Sequence, residues 1–310
     1  MEVTRRKFLK RTITTAAACG LARLSTAKTD DPTDPTTDTH VYLGHWPHQQ
    51  LPSDDPPRLV ADLRRAGVTQ AWTGSFDGLF GKDIAGVNQR LADTCVRIGD
   101  GMLIAFGTIN PTLPDWEDDI RRCHETFHMP GIRLHPNYHG YTLDDPRFAK
   151  LLELATVRGL ILQLVTWMES ERHLLLNPHE LEVDVKPLAE KIAPLPRLKV
   201  IVTNCYHAFR DASIRALLKT EQVYFDFARA SDADAIKQLI DTTSPERVVF
   251  GSCAPLHSVE APAAKLNEMK LPREVRRKIG SANAAALLAL PRKTSATVSG
   301  NPGHAIVSTQ

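Results

Sequence analysis

The chain has 310 residues, with 38 basic and 36 acidic side chains and a formal net charge of +2. A balance so near neutrality, with no basic stripe interleaved with aromatics, argues against nucleic acid as the main partner. The apolar share of 42% is ordinary for a globular protein, and the five cysteines contain no Cys-x-x-Cys, so no zinc knuckle is indicated.

Thr4 to Lys10 reads Thr-Arg-Arg-Lys-Phe-Leu-Lys. It is followed by a modestly apolar run, Ile13 to Leu24, and by small residues at Ser25, Thr26 and Ala27. This pattern predicts a paired-arginine (twin-arginine) signal peptide over 1–27 and export of a folded protein to the periplasm. The run is too short and too weakly apolar for a spanning helix. A second reading makes Cys19, after Ala16 to Ala18, the lipidated residue of a lipoprotein anchor. Residues 28–37 are polar and proline-broken and read as a linker. Residues 291–310 lack periodicity and read as a disordered tail.

Between these ends, β-type runs alternate with amphipathic helices. The expected strands are His40–Leu43, Gln70–Gly74, Leu103–Gly107, Gly131–His135, Leu160–Val165, Lys199–Thr203, Val223–Phe227 and Val248–Gly251. The expected helices are Arg58–Ala66, Ile84–Ile98, Trp116–Phe127, Pro146–Arg158, Leu188–Ile192, Ala212–Leu218, Ala233–Ile240 and a closing region Ala261–Asn283. Eight strands, each followed by a helix, predict a single (β/α)₈ TIM barrel over 38–290. No Gly-x-Gly-x-x-Gly follows the first strand, which sets aside a dinucleotide fold. Cys95 and Cys123 fall in neighbouring helices and read as buried or free thiols.

Barrels of this kind carry their chemistry where strands end. In Gly131–Tyr141, Ile132 and Leu134 share one strand face while Arg133 and His135 share the other. Pro136 stops that strand, and His139 follows in what reads as a loop. The other strand ends offer His40 and Tyr42, Thr166 and Glu169, Asn204 and His207, Asp226 and Arg229, and Ser252 and Cys253.

Asp38-Thr-His40-Val-Tyr42-Leu-Gly44 resembles the first-strand Asp-x-His-x-His-x-Gly motif of the amidohydrolase superfamily. Phe250-Gly-Ser-Cys253-Ala-Pro255 resembles its eighth-strand Phe-Gly-Ser-Asp-x-Pro. Ile109-Asn-Pro111, the Gly131–Tyr141 stretch and Ser281-Ala-Asn-Ala-Ala285 look like the amidohydrolase-related (amidohydrolase 2) branch. The resemblance implies a metal-dependent hydrolase barrel. In that family zinc or manganese is held by two first-strand histidines, often a fifth-strand histidine, and the eighth-strand aspartate, which takes a proton from the attacking water. His40 keeps the first histidine position. Tyr42 stands at the second, Cys253 at the aspartate, and Asn204 near the sixth-strand histidine that commonly faces substrate; the fifth strand ends without a histidine.

Three readings follow from that altered motif set. In the first, His40 and Cys253 hold one divalent metal such as zinc, with His135, His207, His45 or His48 completing the site. In the second, a metal-free hydrolase or lyase uses His40 or His135 as general base and Cys253 as nucleophile. Arg133 would then grip the carboxylate of a small-molecule substrate, with Tyr42, Asn204 and His139 lining the mouth and Glu169 and Glu171 as further carboxylates. In the third, the barrel is a non-catalytic ligand-binding homologue, and Trp72, Trp167 and Phe76 line a pocket. The expected function is an exported hydrolase of a small carboxylate-bearing substrate, with the non-catalytic homologue as the alternative.

Overall fold

The strands are short β-branched or aromatic runs, and the helices between them carry one apolar stripe each, so neither buries its face without the other. The computed structural model describes residues 34–47, 49–168, 182–204 and 214–289. The expected signal peptide with Cys19, residues 28–33, His48, Glu169, Glu171, His207 and the expected tail lie outside the described residues.

The strands are β1 (Thr36–Leu43), β2 (Val68–Ser75), β3 (Leu103–Thr108), β4 (Gly131–Leu134), β5 (Ile161–Val165), β6 (Val200–Thr203), β7 (Val223–Asp226) and β8 (Val248–Val249). They pair in parallel in chain order. β1 and the segment from β8 onward close the ring. Phe250 C=O accepts from Thr39 N–H at 2.9 Å, His40 C=O from Cys253 N–H at 2.7 Å, and Ala254 C=O from Tyr42 N–H at 2.8 Å. The fold is the expected (β/α)₈ barrel.

The helices up to β5 are α1 (Pro56–Arg65), α2 (Asp77–Phe80), α3 (Ile84–Gly99), α4 (Trp116–Glu125), α5 (Pro136–His139) and α6 (Pro146–Arg158). After β5 come α7 (Leu188–Ile192), α8 (Ile214–Leu218), α9 (Ala233–Thr242), α10 (Glu260–Glu268), α11 (Arg273–Arg277) and α12 (Asn283–Leu288). In α6 the local rules agree with one another. The Asp145 carboxylate accepts from Arg147 N–H, Pro146 fills the first turn, and Gly159 ends the helix at φ +65°.

Four details differ from the expectation. β1 starts at Thr36, because two β-branched threonines of the expected linker extend the ladder to Val68 and Gln70. The loop after β4 makes one helical turn, α5, with Pro136 at its start. β8 is regular for only two residues, since Phe250 to Ala254 bond to β1 outside the regular ladder. The closing helical region is broken before Pro272, where Lys270 takes φ +45°.

Outward strand residues such as Ile132, Leu134, Leu162, Leu164, Val200 and Val202 share one core with Ile120, Phe148, Leu151, Leu152 and Ile192 of the helices. Inside, the barrel is layered. At the bottom Trp72, Phe106, Ile161, Ile201 and Val249 cluster with Ala284 and Leu287 of α12. The Trp72 and Phe106 rings stack at 4.7 Å. Arg133 and Gln163 lie above them, paired in register across β4 and β5. His40, Tyr42, His135, Asp226 and Cys253 form the polar layer at the mouth.

Candidate active site

Alternation along β1 sends Asp38, His40 and Tyr42 to one face. Asp38 fastens β1 to the turn after β8: one carboxylate oxygen accepts from Ser252 Oγ at 2.5 Å, the other from the N–H groups of His40 (3.0 Å) and Ser252 (3.1 Å). Burial lifts its carboxyl to about 6 against those three hydrogen bonds.

His40 is fully buried, and its Nδ1 lies 2.7 Å from Asp226 Oδ2. Burial pushes the imidazole down, but the Cys253 sulfur and the Asp226 carboxylate outweigh it and raise it to about 9. Room for the pair comes from Gly251, where a Cβ would lie 2.8 Å from Asp226 Oδ2 and 3.1 Å from His40 Cβ. The other Asp226 oxygen accepts from Asn204 N–H at 2.9 Å.

Tyr42 bridges the two histidines of the mouth. Its hydroxyl is 3.0 Å from His135 Nε2 and 3.4 Å from His40 Nε2. Burial holds the phenol above its ordinary range and pushes His135 well below its own, with His139, Arg133 and His40 adding to the fall. The neutral His135 therefore accepts from the protonated phenol. The Asn204 amide donates to Trp167 C=O at 2.8 Å and lies 3.6 Å from Cys253 Sγ. Asn204 and Cys253 both take left-handed backbone, at φ +59° and +60°. Neither is glycine, and such strain tends to collect at functional sites.

Arg133 has a different part. It is fully buried, with no carboxylate partner among the described residues, and its guanidinium donates to Gln163 Oε1 (2.8 Å) and to the carbonyls of Val41 (2.7 Å), Trp72 (3.0 Å) and Thr39 (3.3 Å). The Tyr42 ring covers it at 4.5 Å. Gly74 makes the space, since a Cβ there would meet Arg133 Nη1 at 2.7 Å. The expected carboxylate grip is corrected accordingly: these donors already tie strands together inside the barrel. His139 is buried beside His135, their ring centroids 5.9 Å apart, and its Nε2 donates to Gly78 C=O at 2.9 Å. His45 points to solvent and pairs with Asp54 at 2.9 Å, so it does not reach the mouth.

The mouth is roofed. Phe76 stacks on Tyr42 at 4.7 Å, Trp46 sits edge-on to Phe76 at 5.2 Å, and Leu256 packs against the same cluster. Beside it, the Arg229 guanidinium lies 3.8 Å over the Trp167 ring, and its Nη1 donates to His257 Nε2 at 3.0 Å. Sequence reasoning missed Asp226 as the partner of His40 and Gln163 as the partner of Arg133. Strand parity on β7 and β5 is the signal that aims both inward.

A barrel with Asp38 and His40 on one face of the first strand, an inward carboxylate on β7 and polar residues gathered at the strand ends defines an amidohydrolase-type architecture. The amidohydrolase family model matches residues 37–290, and the chain belongs to that family. No curated protein matches it. Among solved structures it resembles 5-carboxyvanillate decarboxylase from Sphingomonas paucimobilis at 14% identity and TM-score 0.63, over 83% of this chain and 99% of that one. It also resembles 2,6-dihydroxybenzoate decarboxylase from Rhizobium at 14% identity and TM-score 0.62, over 81% and 98% of the two chains. A third similar structure is a dihydroxybenzoic acid decarboxylase from Polaromonas with bound manganese and 2-nitroresorcinol, at 13% identity, TM-score 0.65 and coverage of 84% and 98%.

The side chains of this mouth do not fit such a metal. His40 Nδ1 is held by Asp226, and its Nε2 lies 3.4 Å from the Tyr42 hydroxyl. Among the described residues no three His, Cys, Asp or Glu side chains are grouped to hold an ion. The His40 ring expected to bind a metal is instead tied to Asp226.

Proposed function

We propose that the protein is an exported amidohydrolase-related hydrolase acting on a small carboxylate-bearing substrate. The observation that carries the reading is the buried 2.7 Å contact between His40 Nδ1 and Asp226. A carboxylate that fixes one imidazole nitrogen orients the other for proton transfer and stabilises the imidazolium between steps. His40 moves the proton, Asp226 holds its ring, and the Tyr42–His135 pair supplies a second proton path. The carboxylate preference is supported by the aromatic carboxylates named for the similar structures. Arg229 is the cation that meets the substrate's anionic group: it is half-buried and lies 3.8 Å over the Trp167 ring. The export part rests on Thr4 to Lys10; precursor of the Arg5→Lys, Arg6→Lys double variant should stay in the cytoplasm.

Esters and lactones of aromatic acids, with and without a second carboxylate, test the reading. Wild-type protein should hydrolyse the carboxylated series, and His40→Gln should lose about 10²- to 10⁴-fold in rate. Arg229→Met should raise KM for the carboxylated substrates only. A ligand-binding barrel without turnover is the second reading, favoured by the absence of any exposed surface on His40, Tyr42 and Cys253. Saturable binding of these acids with no hydrolysis would select it.

A further inference from the structure

A cavity of about 510 Å³ opens between the loop after β1, helix α1 and the segment after β8. Small-molecule sites have this size, about 300–1,000 Å³. The cavity is distinct from the mouth, since none of His40, Tyr42, His135 and Asp226 lines it. Leu51 and Leu256 are shared: they line the cavity and also pack in the cluster that roofs Tyr42. Leu59, Pro255 and Val259 complete its apolar wall.

Charges of both signs face this space. Arg58, Asp62 and Arg65 recur at helical spacing on α1 and share one face. Arg65 Nη2 lies 2.9 Å from Asp62 Oδ1 and 3.3 Å from Glu260 Oε1, so it ties both carboxylates. Ser53 Oγ donates to Asp62 and Ser258 Oγ to Glu260. Those hydroxyls, more than Arg65, hold both carboxyls below their ordinary range, so both are ionised. A carboxylate has about four lone-pair sites, which leaves each of them able to accept further donors. Arg58 has no such partner. It is exposed and makes no hydrogen bond or ion pair among the described residues, with only the Asp62 charge near it. His257 lines the same cavity as a neutral donor: Arg229 Nη1 donates to its Nε2 at 3.0 Å, so the ring keeps its hydrogen on Nδ1.

The lining thus carries two arginines and two carboxylates around an apolar wall. A simple anion would be drawn to Arg58 and repelled by Asp62 and Glu260; a simple cation would meet the reverse. A ligand bearing both charges satisfies both. Arg58 and Asp62 stand four residues apart on α1, which puts their Cβ atoms about 5–6 Å from each other. The ammonium and carboxylate of an α-amino acid share one carbon, so one molecule can meet both side chains. We propose that this cavity binds a small zwitterion with an apolar body, of the α-amino acid class. Its carboxylate is taken by Arg58, its ammonium by Asp62, and its body lies on Leu59, Pro255 and Val259, with the His257 N–H as a further donor in the wall. The site goes beyond the hydrolase reading and holds whether or not the mouth turns over a substrate.

The test is equilibrium dialysis of the purified full-length protein against radiolabelled L-leucine, with unlabelled 4-methylpentanoate and 3-methylbutylamine as competitors. These keep the apolar body of leucine and lack, in turn, its ammonium and its carboxylate. L-Leucine should bind saturably, one molecule per chain. Each competitor should need about tenfold or more the concentration of unlabelled L-leucine to displace it. Arg58→Gln, a change on an exposed side chain, should keep the wild-type melting temperature and weaken L-leucine about tenfold or more. His40→Gln, inside the mouth, should bind L-leucine as the wild type does. A competitor as effective as L-leucine overturns the zwitterion. Undiminished binding by Arg58→Gln, or binding lost in folded His40→Gln, overturns the placement in this cavity. No bound L-leucine overturns the proposal as a whole.

Discussion

Two cationic side chains lie one layer apart inside the barrel, and both are wholly buried. Arg133 is surrounded by neutral acceptors: three main-chain carbonyls and the Gln163 amide oxygen. His40 is held by the Asp226 carboxylate, with the Tyr42 hydroxyl 3.4 Å from its other ring nitrogen. Carbonyl dipoles fixed by the β-ladder hold a guanidinium rigidly and give it no proton to exchange. A carboxylate beside an imidazole holds it too, but leaves it a proton to give and take. Burial alone therefore does not mark a working residue; the nature of the partners does.

Removing each cation should break different properties. Arg133→Met should cost about 3–5 kcal/mol, the range for truncating one side of a buried charged network, because the carbonyls of Thr39, Val41 and Trp72 lose their donor. Chemical denaturation of wild type and variant checks this, and a variant of unchanged stability would dissolve the contrast. The two glycines sharpen it. Gly251→Ala drives a methyl against Asp226 and His40. It should lower turnover about tenfold or more by tilting His40, the residue that moves the proton, out of line. Gly74→Ala drives one against Arg133, costing about 1–3 kcal/mol of stability by overpacking. The smallest effect concerns pH. Burial, then the Arg229 charge, lowers His257 to about 4 from an ordinary value of 6.5. The unfolded chain then binds the extra proton first, so this contribution to stability is complete above 6.5 and is lost as pH falls toward about 4. In His257→Gln the drop in melting temperature between pH 7 and pH 5 should shrink.

The frame of the barrel was legible because its signals are local. Period-2 runs ending at Gly, Pro or Asn marked the strands, and Asp145, Pro146 and Gly159 marked α6 from both ends. The common face of Arg133 and His135 followed from parity on one strand. The partners were not legible. His40 and Asp226 are 186 positions apart, and Arg133 and Gln163 are 30 apart. Strand parity says which side chains enter the barrel, but the register between strands, neighbouring or not, decides which of them meet. Main-chain carbonyls have no sequence signature at all, which is why Arg133 looked available to a substrate. His45 looked able to reach inward because a loop histidine has no periodicity to aim it, and Asp54 is what turns it to solvent.

The most direct test of the account is the titration of His40 itself, followed by ¹⁵N-resolved NMR of the imidazole in the full-length protein. His40 should stay protonated through neutrality and titrate near 9. In Asp226→Asn its midpoint should fall by more than one pH unit, each unit being about 1.4 kcal/mol of lost preference for the imidazolium. A His40 that titrates at or below 6.5 in the wild type, or that ignores Asp226→Asn, would contradict the claim that this pair is the working centre of the barrel.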